Sequence, residues 1–188
     1  NTPEKDPGDR SEVLLNDGTG HFTMVENSGI TDVYIPEMMT EGLTNTTGIS
    51  FLDYDQDGNV DMYFAEWFSD YKANLAGQGA FKLPDLLFKG NGDGTFQLVH
   101  DPDIDRVVQP MYGVNVTDWN NDGWQDIITS PYCRSGGSLF ENMKDGTFRD
   151  ATFTAKYSSQ KMGGDHGQAL CQWEANPADF DNDGDMDL

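Results

Sequence analysis

Positive charge is the scarcest thing in this chain. Eleven Lys and Arg stand against 33 Asp and Glu, leaving a formal net charge of −22 over 188 residues. Nucleic acid and anionic membrane surfaces both demand basic patches, so neither is expected as a partner. Cysteine is nearly as sparse: Cys133 and Cys171 are the whole supply, with no Cys-x-x-Cys pair, so neither zinc nor covalent haem attachment has support. No apolar run approaches membrane-spanning length. Gly-x-Ser-x-Gly, His-Glu-x-x-His and the phosphate-binding glycine loop are all missing, and no catalytic residue is assigned. The expectation is a protein that is not an enzyme. The chain carries neither an initiating Met nor a leader pattern, which points to processing or to an origin inside a longer protein.

What the chain has in abundance is acid placed at fixed intervals. Asp53, Asp55, Asp57, Gly58, Asn59 and Asp61 put side-chain oxygens at loop positions 1, 3, 5 and 9, a glycine at 6 and a backbone carbonyl at 7. Oxygen donors so spaced, with a glycine for the sharp turn, suit a hard cation of calcium size. Asp118, Asn120, Asp122, Gly123, Trp124 and Asp126 form a second copy; Asp179, Asp181, Asp183, Gly184, Asp185 and Asp187 form a third. An EF-hand would close with an acid at position 12, where Phe64 and Thr129 stand instead. Asp-Gly turns also make good hairpins without metal. Three copies in one register favour calcium, with about three sites.

The first aspartates lie 65 and 61 residues apart. A second motif is interleaved: Leu14 to Phe22, Leu87 to Phe96 and Leu139 to Phe148 each read as an apolar strand, a tight Asn/Asp/Gly turn, and a strand opening on an aromatic. One unit is therefore four strands, at 47–52, 60–65, 85–88 and 95–99, and the next repeats them at 113–117, 126–129, 138–140 and 147–151. Four antiparallel strands per repeat mark β-propeller blades. The expected class is all-β, a single propeller segment with about three blades: the end of one at 12–26, full blades at 47–99 and 113–153, and the start of another at 175–188. Since propellers close with four to eight blades, the expectation is an arc of a larger ring, or copies that complete one another.

The calcium loop followed by Asn-Gly-Asp-Gly-Thr-Phe resembles the FG-GAP/VCBS repeat of integrin-α-type propellers and secreted bacterial proteins. The wording Leu-Asp-Tyr-Asp-Gln-Asp-Gly and Ala-Asp-Phe-Asp-Asn-Asp-Gly-Asp-Met-Asp-Leu is closest to the cartilage acidic protein/UnbV group. That resemblance implies interaction or adhesion more than chemistry.

Strand direction puts the calcium loops and the Asn-Gly-Asp-Gly turns on one face. Long segments at 26–46, 66–83, 100–112, 132–137 and 154–173 then share the other, where loops of that length serve as binding surfaces. Candidate ligand-face residues are Trp67, Tyr132, Arg134, His166 and Trp173, for a protein or a glycan partner; Trp67 and Trp173 also suit packing between blades. Cys133 and Cys171 fall on this face as a candidate disulfide, with two free thiols in a cytosolic chain as the alternative. Weak calcium loops fill where calcium is millimolar, so the expected setting is extracellular, cell-surface or periplasmic. Three function classes stay open: an adhesion or complex-forming module, a carbohydrate-binding or polysaccharide-processing propeller, and a structural subunit of an extracellular assembly.

Overall fold

The computed structural model describes residues 11–30, 46–67, 84–131, 136–157 and 173–188. Two four-stranded antiparallel sheets dominate it. The first runs β3 (Thr46–Leu52), β4 (Asp61–Glu66), β5 (Leu86–Gly90) and β6 (Phe96–Val99) in that spatial order. The second runs β7 (Met111–Thr117), β8 (Asp126–Pro131), β9 (Leu139–Asn142) and β10 (Phe148–Asp150). A hairpin, β1 (Leu14–Asn16) with β2 (Phe22–Met24), precedes them, and an isolated Ala178–Asp187 bridge follows. The up-and-down order is that of propeller blades. In the bridge only the entry and exit of the third acidic loop pair, where the repeat leads one to expect two strands.

Why the two inner segments of each four-stranded sheet are strands follows from burial on both faces. β4 and β8 are buried at every position, so Asp-Met-Tyr-Phe-Ala-Glu and Asp-Ile-Ile-Thr-Ser-Pro need not alternate polar with apolar. Tyr63, Ala65 and Leu87 point from the first sheet toward Ile127, Phe140 and Phe148 of the second, and one core joins the two blades. Met62, Phe64, Leu86 and Phe88 form a second core on the far side of the first sheet. Ile128, Leu139 and Ala151 do the same beyond the second. The core thus lies between sheets, as stacked blades require.

The join between blades is itself repeated. Ser50 Oγ donates to the Val114 carbonyl at 2.6 Å; 65 residues on, Asn115 Nδ2 donates to the Ala175 carbonyl at 2.8 Å. Close approach at the same level requires glycine. A Cβ on Gly48 would sit 2.8 Å from the Tyr112 carbonyl oxygen, and one on Gly113 only 2.4 Å from that of Trp173. Both glycines fall at a register shift in their strand pair.

The segments leaving each fourth strand correct the expectation that 26–46 and 100–112 serve wholly as presented loops. Their first residues seal the outer edge of the next blade. The Phe96 N–H donates to the Ser28 carbonyl at 2.7 Å, and the equivalent Phe148 N–H donates to Asp101 Oδ2 at 2.8 Å. Asp101 also caps a single helical turn, α1 (Pro102–Asp105), accepting from the Asp103 and Ile104 N–H groups. Ile104 then enters the core between the blades. An exposed strand edge invites foreign strands, and this arrangement covers it.

Asp85 is a buried acid with a structural task. It accepts from the Tyr63 hydroxyl at 2.9 Å and the Glu66 N–H at 2.8 Å, and burial pushes its carboxyl up to about 7. Unfolded, it would release its proton near 3.8. Between those values the unfolded chain binds fewer protons, so this group's contribution to stability falls as pH rises through the window and is flat above it. Thermal melts of wild type and Asp85→Asn from pH 4 to 8 should show wild type losing ground to the variant, by at most about 4 kcal/mol. A constant difference would reject this. Gly113→Ala should cost roughly 2 kcal/mol in urea unfolding, because Trp173 backbone must retreat; an unperturbed midpoint would mean that the blades are not so tightly joined.

Candidate metal centre

All three acidic loops adopt one backbone path. Position 4 is left-handed without being glycine (Gln56, φ 57°; Asn121, 57°; Asn182, 60°), and the glycine at position 6 follows with φ 85°, 86° and 96° (Gly58, Gly123, Gly184). Glycine meets the second requirement without strain, and Asn tolerates the first. The first aspartate accepts the position-6 N–H in every copy: Asp53 Oδ2 from Gly58 at 3.1 Å, Asp118 Oδ2 from Gly123 at 2.7 Å, Asp179 Oδ2 from Gly184 at 3.1 Å. Position 5 accepts from position 7, as Asp57 does from Asn59, Asp122 from Trp124 and Asp183 from Asp185. Repeated acidity at these positions thus has a conformational use before any ion is considered.

The ninth position behaves differently. Asp61 and Asp126 are fully buried. Asp61 accepts from the Tyr54 N–H at 3.0 Å and, across the sheet, from the Gly90 N–H at 2.8 Å. Asp126 accepts likewise from Trp119 at 3.1 Å and Asn142 at 2.7 Å. Asp187 keeps the first of these bonds, to the Phe180 N–H at 3.0 Å. Burial raises the Asp61 carboxyl and pushes Asp126 up to about 7, against the pull of those N–H donors. A divalent ion would reverse that direction.

Whether an oxygen-seeking ion fits can be judged loop by loop. One oxygen each from Asp53, Asp55 and Asp61 lies within 4.8 Å of the others, and Asp179, Asp181 and Asp187 meet the same condition. Ligands about 2.3–2.6 Å from a shared calcium cannot lie much farther apart than this. Asp53 Oδ1 is moreover buried with no hydrogen-bond partner, an acceptor left over after the loop's own bonds are made. The first loop fits. In the second, Asn120 replaces an acid and no trio of carboxylates forms among the described residues, while Asp118, like Asp179 of the third, accepts backbone N–H groups on both oxygens. Its expected ligands, Asp118, Asn120, Asp122, Trp124 and Asp126, lie along the same loop path but offer fewer spare oxygens. The third loop offers its carboxylates in the open.

Sequence reasoning overlooked what surrounds the loops. Lys89 on β5 places its ammonium on Asp55, and on Asp57 Oδ2 at 2.9 Å. These hydrogen bonds raise its proton affinity further. Glu141 occupies the same strand position in the second blade and accepts from Asn120 Nδ2 at 3.4 Å, while Lys144 reaches Asp122 at 3.1 Å. Asn142 Nδ2 donates to the Tyr54 carbonyl at 2.7 Å, tying the second blade to the first loop. The charge exchange between Lys89 and Glu141 was the available signal, visible once the two hairpins are aligned. The loop tips also touch: Gln56 Nε2 donates to the Gly123 carbonyl at 2.8 Å, and Asn121 Nδ2 to Asp185. A row of linked loops results, beside the Asn-Gly-Asp-Gly turns. Asp17, Asp93 and Asp145 shape those turns by accepting from the N–H and hydroxyl groups of Thr19, Thr95 and Thr147, which hold their carboxyls low.

Of the residues expected on the opposite face, Trp67 is buried and meets Tyr112 edge-on with ring centroids 4.9 Å apart. Tyr112 meets Trp173 in the same manner at 4.7 Å, and Trp173 is 60% exposed. Tyr132, Arg134 and His166 lie outside the described residues, as do Cys133 and Cys171. Asn115, the first residue of a glycosylation triplet, spends its amide on the blade junction.

Residues 118–188 match a family model described as an FG-GAP-like repeat. No curated protein matches the chain.

The ninth-position aspartates should matter whether or not metal is present. Asp126→Ala strands two buried N–H groups at roughly 1–3 kcal/mol each, so urea unfolding in chelator should show a loss of about 3 kcal/mol. Asp181→Ala in the exposed third loop should cost under about 0.5 kcal/mol under the same conditions. Equal losses would contradict the division of labour.

Proposed function

We propose that this chain is a calcium-stabilised propeller module whose working surface is the face opposite the acidic loops, and that it serves in protein–protein interaction, adhesion or complex assembly. The observation that carries the metal reading is the first loop's trio, in which one oxygen each of Asp53, Asp55 and Asp61 converges, with Asp53 Oδ1 buried and unpartnered on one member. In the first loop Asp53, Asp55 and Asp61 would hold the ion, joined by Asp57 and the Asn59 carbonyl. Asp179, Asp181, Asp183, Asp185 and Asp187 would hold another. When bound, calcium supplies the positive charge that lets several carboxylates share one small volume. The protein itself fixes the loop path through its glycines and left-handed Asn and Gln positions, and anchors it through the ninth aspartate.

The match to the FG-GAP-like repeat supports an interaction role over catalysis, and fold alone settles no activity. Carboxylates committed to a divalent cation are poor general acids, and none of the catalytic motifs sought is present, so we assign no reaction. The wording of the loops supports placing the chain near the cartilage acidic protein/UnbV group. An extracellular, cell-surface or periplasmic setting would supply the millimolar calcium that such loops need. No helix among the described residues is long and apolar enough to cross a membrane.

A carbohydrate partner is the second reading, favoured by the exposed Trp173 ring standing edge-on to Tyr112 with Glu174 adjoining. Aromatic faces beside acids suit sugar rings and their hydroxyls. A glycan array with Trp173→Ala as control decides it: Trp173-dependent binding would favour sugar, and a blank array would leave a protein partner.

Calcium removal tests the leading reading. Melting of stripped protein against protein in 2 mM calcium should separate by at least several degrees, because an ion bound only by the folded state stabilises it by mass action (about 2.7 kcal/mol at a hundredfold excess over Kd). Asp55→Ala should lose part of that gap, mainly through the first full blade. Coincident melts would reduce the loops to hairpin turns.

A further inference from the structure

The three loops share a backbone path yet differ in what stands over them. The first is covered by Lys89, whose ammonium contacts Asp55 and reaches Asp57 Oδ2 at 2.9 Å. At the matching position of the second blade stands an acid, Glu141, paired across the strands with Arg149 as Lys89 is with Gln97. A lysine at this position is thus particular to the first of these two blades.

We propose that Lys89 is a tethered counter-cation of the first loop, one that holds the loop closed without metal and has to yield when a divalent ion enters, so that it sets that site's calcium affinity. This rests on the calcium reading above. Geometry makes the two cations rivals. Asp55 belongs to the converging trio, and the same carboxylate receives the ammonium. Asp53 Oδ1, on a second residue of that trio, is buried without a hydrogen-bond partner, so Lys89 does not satisfy it. A monovalent head on a flexible stem offers one charge where calcium offers two and six to eight coordination positions, so the larger charge wins when present. The lysine side chain is 37% exposed and has water to withdraw into. Without metal, its charge relieves the repulsion among Asp53, Asp55, Asp57 and Asp61. The consequence is that the first loop answers to calcium only once its lysine has been displaced.

The experiment is a calorimetric titration of calcium chloride into chelator-stripped wild type, Lys89→Met and Lys89→Arg, paired with melts with and without calcium. Lys89→Met should tighten one site on the order of tenfold, since a positive charge a few ångströms from the ion is removed at the protein surface. Its calcium-free melt should fall while its calcium-loaded melt stays at or above wild type. Lys89→Arg should stay near wild type. The gain should vanish when Asp53→Asn is added, which assigns it to the first loop. Unchanged or weaker affinity in Lys89→Met overturns the proposal and leaves the calcium reading standing, as does an equal fall in both melts, the mark of a packing role only. If none of the three proteins takes up calcium, both readings fall together.

Discussion

Asp61 and Asp126 each join parts of a blade that the chain order keeps well apart. One carboxylate oxygen closes the acidic loop between the first and second strands, and the other holds the third strand through the N–H of Gly90 or Asn142. A buried carboxylate is costly unless its oxygens are satisfied, and here backbone donors satisfy both. The ladder of Asp126, Asn142 and the Tyr54 carbonyl then carries the same constraint into the neighbouring blade. Loop, sheet and blade junction therefore stand or fall as one unit, in which apolar stacking provides most of the free energy and the aspartates provide the register.

Blade stacking explains where polar residues are tolerated. Ser50 and Asn115 lie on inner strands where carbonyls of the next blade come within hydrogen-bond distance, and Gly48 and Gly113 let the backbones approach. Edges are managed by carbonyls and carboxylates from the connecting segments. Asp101 does three things at once: it caps α1, accepts the Phe148 N–H, and sets Ile104 into the inter-blade core. Acid excess in this chain is consequently more than surface charge; a share of it is spent on backbone donors.

Equivalent loops are not equal sites. The first combines a converging trio, an orphaned oxygen and a lysine; the second trades acid for Asn120 and borrows Glu141; the third is all aspartate and exposed. One backbone path is thus repeated with different charges placed around it. Away from the loops, the buried Trp67, Tyr112 and the exposed Trp173 meet edge to face, one ring from each of three successive repeats.

The repeat, the four-strand unit and the loop positions were legible in the sequence because each rests on local chemistry: turn glycines, acid spacing, and apolar runs bounded by Asn, Asp and Gly. Strand ends shifted by a residue or two, as at Met111 and Pro131, since inter-blade packing rather than propensity extends those strands. The left-handed position 4 had a trace in Asn121 and Asn182, though Gln56 hid it. What sequence could not supply were contacts between residues 34 or more apart: Lys89 over Asp55, Asn142 on Tyr54, the edge seals at Ser28 and Asp101. Local spacing determined which residues could face an ion. Only the stacking of sheets decided which carboxylates were already engaged, and by what, because desolvation and cross-strand donors exist only once distant segments have been brought together.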